Sequence, residues 1–138
     1  MDKILFIVVF IAFVFFILGL VSQKGEAKGL VDGKLAEPGN SPNVVSSEEN
    51  VQPERAISPI SGSLSQIKTA IETTGGTITS ESGSYLSATY MSKVFKFVDD
   101  VEIRKESDTL WHIRSSSRVG YSDRGVNRKR VETIRAAL

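Results

Sequence analysis

The run "ILFIVVFIAFVFFILGLV", Ile4 to Val21, holds eighteen residues without a charge, and nothing else in the chain limits its architecture as firmly. A helix rising about 1.5 Å per residue would carry it roughly 27 Å, close to the hydrocarbon thickness of a bilayer. Residues 1–23 are therefore read as one N-terminal transmembrane helix, with the partner of Ile4 to Val21 being a membrane. A cleaved signal peptide is the competing reading. Its apolar region is normally about 7–15 residues long and follows several positive charges, whereas only Lys3 and the amino terminus precede this run. A small-x-small site does exist at Gly25-Glu26-Ala27. Lys24, Lys28 and Lys34 outnumber Lys3, which by the positive-inside rule favours a cytoplasm-facing domain.

After the apolar run the chain changes character. All four prolines fall between Lys24 and Ile60, where no helical or strand period is sustained. Residues 24–56 read as a Pro/Gly/Ser-rich tether. Residues 57–138 remain as the packed unit, and a domain of about 80 residues buries only about 60% of its unfolded surface. The absence of cysteine excludes disulfides, thiolate metal sites and a Cys nucleophile.

Periods within that unit predict its elements. "SGSLSQIKTAIETTGG" spaces Leu64, Ile67 and Ile71 as one helical face, with Ser61 or Ser63 to cap it and Gly75-Gly76 to end it. "TITSE" and "YLSATYM", parted by Ser82-Gly83-Ser84, read as a hairpin. "FKFVDDVEIRK" alternates, putting Phe95, Phe97, Val101 and Ile103 on one face, and "LWHIRSSSR" does the same with Trp111 and Ile113. A three-residue turn at Glu106-Ser107-Asp108 would set Ile103 opposite Trp111, Asp99 opposite Ser115 and Asp100 opposite Arg114. In that register Asp99 points inward, and Asp100 and Arg114 form an exposed pair. The fold class expected is α+β, an antiparallel sheet of about four strands with two helices packed on one face.

Charge is distributed unevenly. Residues 1–103 hold 8 Lys/Arg against 12 Asp/Glu, and residues 104–138 hold 9 against 4, so a chain of net charge +1 ends in a segment of +5. The basic end faces either an anion or the acidic part of its own fold. A last helix is predicted with Asn127 as N-cap, Val126 stapled onto Val131, and an apolar stripe of Val131, Ile134 and Leu138. Arg128, Lys129 and Arg130 then occupy its first turn, where the helix dipole disfavours each cation by about 0.3–1 kcal/mol. An anion is expected to offset this, either Asp99, Asp100 or Asp123, or a bound ligand.

"FVDDVEIR" and "RSSSRVGYSDRGVNRKRVE", with the upstream "LVDGKLAEPGNSPNVVSS", resemble the domain of unknown function 1499 family over about Gly29 to Leu138. The resemblance implies export, hence a domain on the periplasmic side of an inner membrane, and it carries no activity. It also implies two cysteines, which this chain replaces with Pro38 and Val44.

Candidate chemistry centres on the cations. Arg114, Arg118, Arg128 and Arg130, with Ser122, are the candidate ligand-binding residues, because guanidinium recognises carboxylate or phosphate in a planar, bidentate way. Asp99, Asp100, Asp123 and Asn127 are read as their polar or pairing counterparts. Asp99 and Asp100 are adjacent strand residues that cannot converge on a metal, and His112 is read as a surface residue, so neither metal nor cofactor is implied. A near-neutral charge without interleaved aromatics does not fit nucleic acid. The function expected is a noncatalytic envelope module that binds an anionic small molecule or lipid headgroup, or serves as a structural accessory. The alternative is a hydrolase built from the Arg cluster, Asp99 and a serine.

Overall fold

A computed structural model describes residues 2–138. Helix α1, Lys3–Gln23, is capped by the Asp2 side chain, and by length and composition it is long and apolar enough to cross a membrane. Nearly all of its side chains from Ile4 to Val21 are exposed. Only its last turns touch the rest of the chain.

The sheet has six strands in antiparallel pairings, two more than the period reading supplied. Strands β5 (Thr77–Ser82), β6 (Tyr85–Met91), β7 (Val98–Lys105) and β8 (Leu110–Ser117) are the expected four. Two short strands, β3 (Val44–Ser46) and β4 (Ile60–Ser61), both hydrogen-bond to the outer edge of β8. Their two or three residues are too few to show a period. β1 (Leu30–Val31) and β2 (Lys34–Leu35) form a separate two-stranded ribbon. Within residues 24–56, read as a tether, the chain forms β1 to β3 and a 3-10 turn at Pro53–Arg55.

Helix α2, Leu64–Thr73, starts on a capping box in which Ser63 and Gln66 satisfy each other's backbone N–H. Its Ile67 and Ile71 meet Val131 and Ile134 of α3, Val126–Ala136, over one face of the sheet. Leu86, Ala88, Val101, Ile103, Trp111 and Ile113 complete that core. Both helices pack on this single face, as expected.

Two local readings change. The β7–β8 register is Ile103 opposite Ile113, Asp99 opposite Ser117, Asp100 opposite Ser116 and Glu102 opposite Arg114. The turn is longer than three residues because the Leu110 carbonyl accepts N–H bonds from both Glu106 (2.9 Å) and Ser107 (3.0 Å). A slip of two residues leaves every side chain on its expected face while changing every partner. Phe95 and Phe97 lie outside β7 and pack against Phe15 of α1 instead of entering the core.

Candidate functional site

The face of the sheet turned away from the helices carries the charges. Alternation along β7 and β8 projects Asp100, Glu102 and Arg104 beside His112, Arg114 and Ser116. The pattern reads as a solvated face, yet Glu102 is 0% exposed and Asp100 and Arg114 are each 4% exposed. Residues 24–48 form a strap that leaves α1, crosses over them and joins the sheet edge as β3, and the strap's backbone provides part of the hydrogen bonding.

Three ion pairs are built into that layer. Glu102 accepts from Arg114 Nη1 at 3.2 Å, from the Gly29 N–H at 2.8 Å and from the Tyr85 hydroxyl at 2.7 Å. Burial raises the Tyr85 hydroxyl's pKa well above its ordinary value, and the bond to Glu102 adds to the shift. Arg114 also donates to the Ala36 carbonyl and to Ser116 Oγ. Arg118 grips Asp100 with two bonds, of 2.7 and 2.8 Å. Arg104 grips Glu48 in the same bidentate way, at 2.6 and 2.8 Å, and reaches Glu106 at 2.7 Å. Burial opposes ionisation of Glu48, but the Arg104 bond and the Leu35 N–H outweigh it, so its pKa is held below the usual value. The pair expected at the surface, Asp100 with Arg114, does not form; each residue has a different partner and both are buried.

His112 also departs from its surface reading. Its Nδ1 lies 2.9 Å from the Ser47 carbonyl and 3.1 Å from Ser47 Oγ, and its Nε2 lies 3.5 Å from Glu106. Ser47 Oγ meanwhile accepts the Ile113 N–H at 2.8 Å. That hydroxyl is engaged in joining the strap to β8.

On the helix side, Arg130 meets Asp99 at 2.8 Å and lies 4.8 Å over the Tyr90 ring. Burial raises the Asp99 carboxyl's pKa although Arg130 opposes the shift. Asn127 is not the N-cap of α3. Gly125 holds that position at φ 80°, and the Asp123 carboxylate accepts the Gly125 and Asn127 N–H groups, both at 2.9 Å. Asn127 lies inside the first turn, fully buried, accepting from Ser115 Oγ at 2.7 Å and donating to the Asn43 carbonyl at 3.0 Å. Val126 is exposed. Arg128 is exposed as well, donating to the carbonyls of Glu54 (2.8 Å) and Ala56 (3.2 Å). Ser122 is exposed, its Oγ accepting the Arg124 N–H.

Arg118 joins the two parts of the molecule. Beyond Asp100 it donates to the Ser22 carbonyl at 3.0 Å and to the Gly25 carbonyl, so a guanidinium sits at the C-terminal end of α1, where the helix dipole favours a cation. Ser22 is buried there, and its Oγ accepts the Val98 N–H at 3.0 Å.

Several clefts border these groups, among them one of about 680 Å³ beside Tyr85, Gly29 and Arg118, and two more bear on what the site could bind. One, of about 540 Å³, is lined by Lys28, Arg114 and Arg118 and by an equal number of carboxylates, Glu26, Glu37 and Asp100. The other, of about 420 Å³, lies between α1 and the domain, with Phe15 and Leu18 on one wall and Asp99, Ser122 and Asp123 on the other. Among the described residues, Arg55 Nε is the only buried side-chain polar atom without a hydrogen-bond partner. No cluster of three or more His, Cys, Asp or Glu residues able to hold a metal occurs among them either.

A family model for proteins of unknown function, DUF1499, matches residues 34–138. The chain belongs to the DUF1499 family. No curated protein and no solved structure matches it. The DUF1499 match takes in β2 through α3 and most of the strap, whereas α1, Gly25 and Gly29 precede it. Arg118, inside the DUF1499 region, therefore reaches out to the segment before it.

The residues that sequence reasoning missed are Glu48, Tyr85, Glu102 and Arg104, together with Ser22. Each acts through a partner distant in the chain, 96 residues away for Ser22 and Arg118. A buried acid opposite a buried base at a cross-strand position, Glu102 and Arg114, was the one available signal. It was hidden by the register error of two residues.

Proposed function

We propose that this DUF1499 protein is a noncatalytic, membrane-anchored accessory of the cell envelope, in which α1 remains uncleaved and holds the domain at a fixed attitude to the bilayer on the extracytoplasmic side. The observation that carries this reading is the Arg118 bridge. One guanidinium ties Asp100 of the sheet to the last carbonyls of α1, and a flexible tether would need no such bond. The arginine cluster then serves the fold. Arg114, Arg118 and Arg130 each meet an internal carboxylate, and the cleft beside the first two balances three cations with three carboxylates. An anion entering it would meet little net attraction. A hydrolase is disfavoured for a related reason: Asp99 is occupied by Arg130, and the one histidine is engaged with Ser47 on the opposite face.

The cleft between α1 and the domain supports a second reading, as a site for a membrane amphiphile. Its apolar wall is continuous with the anchor, and its polar wall carries Asp99, Ser122 and Asp123. That chemistry suits a headgroup bearing hydroxyls or an amine rather than a phosphate.

Expression with a C-terminal reporter tests the main reading. The full-length chain should stay with membranes through carbonate extraction, keep residues 1–23 by intact mass, and report from outside the cytoplasm. Quantitative release, or a mass that begins after Ala27, would overturn it.

A further inference from the structure

The β6–β7 connection, Ser92–Phe97, lies where α1 leaves the domain, and three of its six side chains are Val94, Phe95 and Phe97. Phe95 packs 5.4 Å and Phe97 6.1 Å, centroid to centroid, from Phe15. Phe15 is not at the helix end. It precedes Val21 by six residues, about 9 Å along the axis, and helical side chains lean toward the N-terminus, so its ring lies deeper still. Whatever surrounds Phe15 also surrounds the two loop rings.

The contact is fixed by backbone, not only by side chains. A Cβ on Gly19 would stand 1.8 Å from the Phe95 carbonyl oxygen, so the loop rests directly on a helix face that only glycine leaves open. Gln23 Nε2 donates to the Lys96 carbonyl at 3.3 Å. Ser92 closes the loop on itself, its N–H donating to the Phe97 carbonyl at 2.8 Å and its Oγ accepting the Phe97 N–H at 2.9 Å. At the tip Val94 is 78% exposed, with Met91 exposed beside it. Lys93 and Lys96 bracket this apolar tip in sequence.

We infer that Ser92–Phe97 is a membrane-inserted wedge, with Val94, Phe95 and Phe97 among the outer acyl chains and the Lys93 and Lys96 ammonium groups rising to lipid phosphates. The occupant is the bilayer itself, because the loop is continuous with α1 at a level inside its apolar span. Long lysine stems allow such snorkelling, and Phe and Val are side chains that the hydrocarbon region accepts favourably. The inference rests on the reading of α1 as a membrane anchor. It adds a second point of membrane contact, which stops the domain from swinging about the first.

The cysteine-free sequence permits a clean test with the full chain reconstituted in vesicles of phosphatidylcholine and phosphatidylglycerol. Single cysteines at Val94→Cys, at Ile11→Cys within α1 and at Asp108→Cys in the β7–β8 turn would each carry an environment-sensitive fluorophore. A doxyl quencher would sit near the headgroup end of the acyl chains. The expected result is blue-shifted, quenched emission at positions 11 and 94 and neither change at position 108. Quenching at 11 with an aqueous signal at 94 would overturn the wedge and leave the anchor standing. An aqueous signal at 11 would overturn the anchor, and the wedge with it. Adding Gly19→Leu to the Val94→Cys and Ile11→Cys chains should shift position 94 toward an aqueous signal in the first while leaving position 11 unchanged in the second. No shift at 94 would count against the docking geometry.

Discussion

The two faces of the sheet are made by the same strands and buried by opposite means. Toward the helices, Val101, Ile103, Trp111 and Ile113 form a dry apolar core. Toward the strap, the intervening residues bury carboxylates and guanidiniums in pairs. The apolar face gains free energy from each methylene removed from water, roughly 25 cal/mol per Å². The charged face gains little net energy from being buried, because desolvation offsets most of the attraction. What it gains is intolerance of mispairing: remove one partner and an uncompensated charge is left in a closed layer. The strap face thus fixes where residues 24–48 and the end of α1 must lie, and the helix face supplies most of the stability.

The largest expected effect is at the centre of the charged face. Arg114→Ala should cost about 3–5 kcal/mol, because it strands Glu102 without its cation. Urea unfolding of the full chain in detergent would measure this, and a loss under about 1 kcal/mol would erase the contrast between the faces. One residue away on the other face, Ile113→Ala should cost about 2–5 kcal/mol through its cavity, whereas Ile113→Val should cost only about 0.5–1.5. The apolar face should therefore respond in proportion to volume, and the charged face should not.

Acid separates the faces in kind. Glu48 has a depressed pKa, so its contribution is fully present above its ordinary value of 4.5 and is lost as pH falls through the lower folded value. Asp99 has a raised pKa. Its contribution is present below its ordinary value of 3.8 and is lost as pH rises through the folded value. Melting temperatures followed from about pH 7 down to about pH 3 should fall less steeply in Glu48→Gln than in the parent chain. Asp99→Asn should make the fall steeper, since it removes a group that opposes it. The smallest effect is expected at Arg128→Gln, within about 0.5 kcal/mol, as for an exposed side chain bonded only to carbonyls. Arg130→Gln should exceed it, because it leaves Asp99 unpaired.

How much of this was legible in the sequence depends on the face. The helical stripe of Leu64, Ile67 and Ile71 and the alternation in β6 to β8 announced themselves as periods, because an apolar core requires them. Asp100, Glu102 and Arg104 alternate just as regularly, but alternating charge is also what a solvated face looks like. Their cover comes from a Gly/Pro-containing segment whose strands β1 and β2 have two residues each, too short to be read. The N-terminal boundary of the last helix was legible to within two residues. The capping role fell to Asp123 because Gly125 can adopt a positive φ there, freeing Asn127 to enter the interior. Arg118 was singled out for its charge, but nothing local joins it to Ser22.

The central claim, that the arginines are held by the fold, is tested most directly by a double-mutant cycle on Glu102 and Arg114, using Glu102→Gln, Arg114→Met and the combination. Contacting members of one network couple by about 0.5–3 kcal/mol, and this pair, with one partner fully buried, is expected near the upper end. The double mutant should still be less stable than the parent, because the Gly29 N–H and the Tyr85 hydroxyl lose a charged acceptor. Coupling below about 0.5 kcal/mol would contradict the account and return these cations to solvent or to a ligand.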